Sequence, residues 1–158
     1  MLAEFGARLG VGMRRRTSFN PKRELLPLAR FEACKSVFHS LAAQVRYAGN
    51  PEHKRNPGDF NLVPPAAPRR GKSLCDDAHI FSRADAVKLL RSGLKMGLVD
   101  ARWPGEGWPQ IVWAVTGDGH PLEAQREGEG AYHGYPMPDA DPFRAAVLER
   151  WRVVCVTA

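Results

Sequence analysis

Proton transfer near neutral pH needs imidazole or carboxylate groups, and five histidines stand in this chain: His39, His53, His79, His120 and His133. No two of them lie at i, i+4 spacing and no CxxC pair accompanies them, so no zinc motif is spelled out. Gly71-Lys72-Ser73 ends like a phosphate-binding loop. The glycine required five places earlier is Ala66, however, and Pro64, Pro65 and Pro68 would break the strand leading in. The chemistry to expect is acid–base work without metal or cofactor.

The residues suited to it gather in Gly119–Arg126 and Tyr132–Pro136. Side chains alternate on a strand, so Leu122, Ala124 and Arg126 take one face and Glu123 and Gln125 the other. A third strand alongside would set His133 or Tyr135 across from Glu123 or Arg126, giving a base, an acid and a cation in one patch. Metal-free RNA cleavage uses such a set: one group takes the 2′-OH proton, one protonates the leaving oxygen, and a cation stabilises the phosphate. The roles expected are His133 as general acid/base, Glu123 as its counterpart or orienter, and Arg126 with Lys54 and Arg55 as phosphate stabilisers. His53 is the reserve base.

Charge points the same way. The chain carries +6 with a pI near 9.6. Up to Lys72 there are 14 basic and 5 acidic residues, leaving +9, whereas the remainder has 9 and 12, leaving −3. Positive potential concentrated in one half suits a polyanion, RNA first, and makes its binding salt-dependent. Arg69, Arg70 and Lys72 lie in Pro-rich sequence where no apolar period asks for them, as a phosphate-facing rim would. A non-catalytic nucleic-acid-binding module would use the same charges, with Tyr47, Phe60 and Tyr132 stacking on bases. A protein-interaction module built on Trp103, Trp108 and Trp113 is a further alternative, although tryptophans beside the best strand fit a core better.

These groups need a scaffold. Residues 1–23 have no sustained period and read as a basic arm; 24–158 read as a single α+β domain. Leu28, Phe31, Cys34, Phe38, Leu41, Ala42 and Val45 recur at helical spacing behind Pro27, predicting a helix over 27–47. A Pro-rich loop fills 48–78. Ser82 with Asp85 three places on forms a capping-box start, Val87, Leu90 and Leu94 share one face, and Gly97 stops the helix. Ile111–Thr116, the turn Gly117-Asp118-Gly119 and Leu122–Arg126 read as a hairpin, with a third strand over 131–135. Asp141-Pro142 opens a last helix with Phe143, Val147 and Trp151 on its buried stripe. Val153–Val156 reads as a short strand or a frayed tail. The expected fold is α+β, with helices packed on a small antiparallel sheet.

This layout, with the segments NPEHKRNPGDF, LEAQRE, YHGYPMP and DPFRAAVLERW across residues 50–151, resembles the small metal-free ribonuclease toxins of bacteria, the barnase, colicin and RelE-like group. The resemblance implies an endoribonuclease of toxin type and a cognate inhibitor protein as partner.

No run of about 18 apolar residues exists, so no membrane span is expected. Glu4 stands where a signal peptide wants a basic start, and Cys34, Cys75 and Cys155 form no disulfide pattern. A reducing cytoplasm is the expected compartment.

Overall fold

The computed structural model describes residues 19–48 and 82–157. Its elements are α1 (Leu28–Ala33), α2 (Lys35–Gln44), β1 (Arg46–Tyr47), α3 (Arg83–Lys95), β2 (Ile111–Val115), β3 (Pro121–Gly128), β4 (Ala131–Pro136) and α4 (Arg144–Thr157). The class is α+β, as the order of periodic segments predicts. The expected 48–78 loop lies, from residue 49 on, outside the described residues.

β2, β3 and β4 form an antiparallel meander, with Trp113 opposite Glu123 and Glu123 opposite Tyr135. The sheet has a fourth member that periodicity does not announce. Arg46 and Tyr47 pair in parallel with Ala131 and Tyr132, giving the order β1-β4-β3-β2 and a mixed sheet. The expected single helix over 27–47 is therefore two helices and a strand. Cys34 (φ −116°, ψ 17°) interrupts it although neither Pro nor Gly stands there, and Val45 (ψ 144°) turns the chain into β1. Tertiary bonds hold that departure: the Tyr47 hydroxyl accepts from Gly134 N–H at 3.0 Å and donates to the Gly134 carbonyl at 3.2 Å.

Strand alternation sends side chains into two separate cores. Val112, Leu122, Ala124 and Tyr132 face a cluster with Phe31, Phe38, Ala42, Leu90 and Leu94 from the first three helices. Ile111, Trp113 and Val115 face the opposite cluster, with Val147 and Val154 of α4. Helices therefore cover both sides of β2. Each such large apolar side chain contributes about 1.5–3 kcal/mol when fully buried. Val154 is 5% exposed on the same stripe as Val147, so residues 153–156 continue α4 and form neither strand nor tail. Burial of that stripe gives the last turns the packing that short helices need.

Local stop and start signals act as their chemistry dictates. The Ser82 hydroxyl accepts the Asp85 N–H at 3.1 Å. Gly97 has φ 68°, and a Cβ there would lie 2.3 Å from the Phe31 ring, so both backbone and packing ask for glycine. Asp141 accepts the Phe143 N–H at 2.9 Å, but α4 begins only at Arg144, so Pro142 and Phe143 lie in the turn before the helix rather than opening it.

Candidate functional site

Glu123 stands in the middle of β3 on the α4 side of the sheet and is 4% exposed. A carboxylate so placed needs partners for both oxygens. Its Oε2 accepts from Arg23 Nη1 at 2.7 Å and Trp113 Nε1 at 2.9 Å; its Oε1 accepts from the Tyr135 hydroxyl at 2.5 Å and Gln125 Nε2 at 3.4 Å. Arg23 also grips Asp141 through Nη1 at 2.8 Å and Nη2 at 2.7 Å, while its Nε donates to the Asn20 carbonyl. Burial pulls the guanidinium down, but the bonds and charges of Asp141 and Glu123 outweigh it and hold Arg23 firmly protonated. One cation thus joins the segment before α1, the centre of β3 and the entry to α4.

Arg23 falls within the stretch that reads as an arm, yet it is 8% exposed and belongs to the core. The segment behind it is held too: the Leu26 N–H donates to the Val99 carbonyl, and the Ala101 N–H to the Glu24 carbonyl, both at 2.8 Å.

His133 shares the Glu123 face. It lies opposite Gln125, its Nδ1 is 2.8 Å from Glu127 Oε1, and its ring centroid is 6.4 Å from that of Tyr135. Its side chain is 20% exposed and that of Glu127 38%, so the pair forms the outward edge of a patch whose inner edge is the Arg23 network. Gln125, opposite His133 in the ladder, belongs to the inner edge and donates to the Tyr135 hydroxyl at 3.3 Å.

Arg126 does not join this patch. Alternation puts it on the opposite face, opposite Tyr132, where Nη1 donates to the Trp108 carbonyl at 3.2 Å. The expectation of acid, base and cation in one patch is corrected accordingly: Glu123 and His133 share a sheet face but sit in separate cross-strand pairs, and the cation bound to Glu123 is Arg23. His53, Lys54, Arg55, Arg69, Arg70 and Lys72 lie outside the described residues.

The chain has no match among protein-family models, curated proteins or solved structures.

Among the described residues no group of three His, Cys, Asp or Glu side chains is placed to hold a metal ion, and no helix is long and apolar enough to cross a membrane. Of the stacking aromatics expected from sequence, Phe60 lies outside the described residues, Tyr47 is 6% exposed and Tyr132 0%, so neither tyrosine offers a ring face to a base. Trp103 and Trp113 are core side chains, whereas Trp108 is only partly buried. A second feature is positive. Lys88, Arg91 and Lys95, at i, i+3 and i+7, lie exposed along one face of α3, opposite buried Ala86, Leu90 and Leu94. None of them takes part in an ion pair among the described residues.

Proposed function

We propose that this chain binds nucleic acid, RNA in the first place, through a basic surface centred on α3. The observation that carries this reading is the row Lys88, Arg91 and Lys95, three exposed cations with about one helical turn between neighbours and no acid paired to them among the described residues. Phosphates repeat along a strand and a helical row of cations can follow them; this attraction is independent of sequence. The described residues hold 14 basic and 12 acidic side chains, +2 of the total +6, so segments outside them, Lys54, Arg55, Arg69, Arg70 and Lys72 included, add the larger share of positive charge.

The test is RNA binding by wild type and by Lys88→Ala/Arg91→Ala/Lys95→Ala at low and moderate salt. The expected result is binding that weakens with salt and is strongly reduced in the triple variant. Equal binding by both proteins rules the surface out.

A second reading, a metal-free endoribonuclease of toxin type with a cognate inhibitor, is favoured by one observation, the approach of His133 to Glu127 at the open edge of the sheet face. An imidazole close to a carboxylate can act as a general acid/base, and Tyr135 is beside it. In this reading Glu123 positions Tyr135, since both its oxygens are occupied in the core. Total RNA incubated with the protein in EDTA should be cleaved by wild type and spared by His133→Ala and Glu127→Gln. Cleavage unchanged in both variants excludes this pair.

A further inference from the structure

Behind Arg126, on the face away from His133, the loop between α3 and β2 leaves an open cleft of about 460 Å³. Asp100, Arg102, Glu106, Trp108, Gln110 and Arg126 line it. That volume is in the range of small-molecule sites. The loop is built rather than slack. Asp100, 1% exposed, accepts from Arg102 Nη2 at 2.6 Å and from the Arg102 N–H at 2.9 Å; Trp103 Nε1 donates to the Gly107 carbonyl at 3.0 Å; Arg30 Nη2 donates to the Trp103 carbonyl at 2.8 Å. Trp108 is wedged against Gly130, where a Cβ would come within 2.8 Å of the indole, and meets Tyr132 edge-on at 6.4 Å.

The charge in this cleft is balanced. Arg102 and Arg126 stand against Asp100 and Glu106, and the adjoining hollow adds Glu129. Such a lining does not attract a phosphate, unlike the α3 face. What it offers is a partly exposed indole together with guanidinium and amide donors and carboxylate and amide acceptors. A neutral planar heterocycle with donors and acceptors on its rim matches that combination. From this we infer that the cleft is a binding site for one unpaired nucleobase, stacked on Trp108 and met at its edge by Gln110, Glu106 and the two arginines. The inference rests on the RNA reading for its ligand and narrows it to single strands, because a base paired in a duplex has no free face to stack.

The experiment follows the indole N–H resonances of the full chain by NMR, with Trp108 assigned through Trp108→Phe. Guanosine and adenosine, which carry no phosphate, are titrated at low and high salt, and a single-stranded hexanucleotide and a duplex are titrated in parallel. The expected result is a shift of the Trp108 resonance by the nucleosides that salt does not alter, the same shift by the hexanucleotide, and none by the duplex. Trp108→Ala should weaken hexanucleotide binding by about tenfold to a hundredfold, the range seen for loss of base stacking on an aromatic side chain. Gln110→Ala, an exposed change that leaves the packing of Trp108 intact, should weaken nucleoside binding without altering stability. A Trp108 resonance unmoved by nucleosides and hexanucleotide, or moved by inorganic phosphate alone, overturns the inference. RNA bound with salt dependence but with Trp108 unmoved removes the base site and leaves the α3 surface standing. Nucleoside shifts without any RNA binding remove the RNA reading and leave only a nucleoside site.

Discussion

Arg23 and Glu123, one hundred positions apart, meet at 2.7 Å with both side chains 4% exposed. Asp141 completes the group at 2.7 Å, so one guanidinium answers two carboxylates inside the protein. Its geometry is that of a lock among three segments, beside which Arg150 of α4 donates to the Leu26 carbonyl and the Met137 N–H to the Pro121 carbonyl of β3.

Removing the cation should therefore destabilise the domain severely. Breaking a buried pair by deleting one partner costs about 3–5 kcal/mol, because the other charge stays behind unpaired. Arg23→Met leaves two carboxylates, and the upper part of that range is expected in urea unfolding. Arg23→Lys should lie between, since an ammonium keeps the charge and loses the fork that reaches Glu123 and Asp141 together. A Met variant as stable as wild type would mean that the network contributes no stability.

Gly93 decides between two opposing effects. In a helix, Ala is favoured over Gly by about 1 kcal/mol. A Cβ at Gly93, however, would lie 2.1 Å from the Trp113 carbonyl oxygen, a backbone atom of β2 that has nowhere to go. Overpacking costs about 1–3 kcal/mol and more where backbone must move. Gly93→Ala should lower the unfolding midpoint despite its better helix propensity; a raised midpoint would show that α3 can lift off β2 freely.

Acid should loosen the loop under the cleft. Burial pushes the Asp100 carboxyl up, but hydrogen bonds from the Arg102 side chain and N–H, with its charge, win and hold the group below its ordinary 3.8. A depressed folded value stabilises above the unfolded value, and the contribution disappears as pH falls through the folded one. Wild type should lose this part of its stability below about pH 4, and Asp100→Asn should show a flatter acid limb. Parallel limbs in pH-dependent unfolding would deny the pair any role.

The charge reading makes a prediction about salt. For single strands the slope of log K against log salt changes by about 0.7 for each phosphate that is no longer neutralised. Lys88→Ala/Arg91→Ala should thus flatten the slope by about 1.4 if each side chain neutralises one phosphate. Arg69→Ala/Arg70→Ala, two cations of the Pro-rich stretch, should do the same. Preference among sequences should barely change, since phosphate interactions position rather than specify. An unchanged slope in either double variant identifies its two charges as solvated only.

Several features of this protein are written in short stretches of its sequence. Ser82 and Gly97 bracket α3 because a hydroxyl cap and a positive φ are local requirements. The two-residue alternation around Gly117-Asp118-Gly119 makes the hairpin, and it also puts Glu123 and Gln125 on one face and Arg126 on the other, so the dispersal of the expected patch is legible in the period itself. Other features have no local sign. The break at Cys34, the turn of Tyr47 into a parallel strand, and the extension of α4 through Val154 each depend on a surface supplied by a distant element. Arg23 is the clearest case: in sequence it is one more cation of a basic stretch, and only the fold brings Glu123 and Asp141 to it. A charge is stable in the interior when its partners arrive together, and partners one hundred residues away leave no periodicity to read.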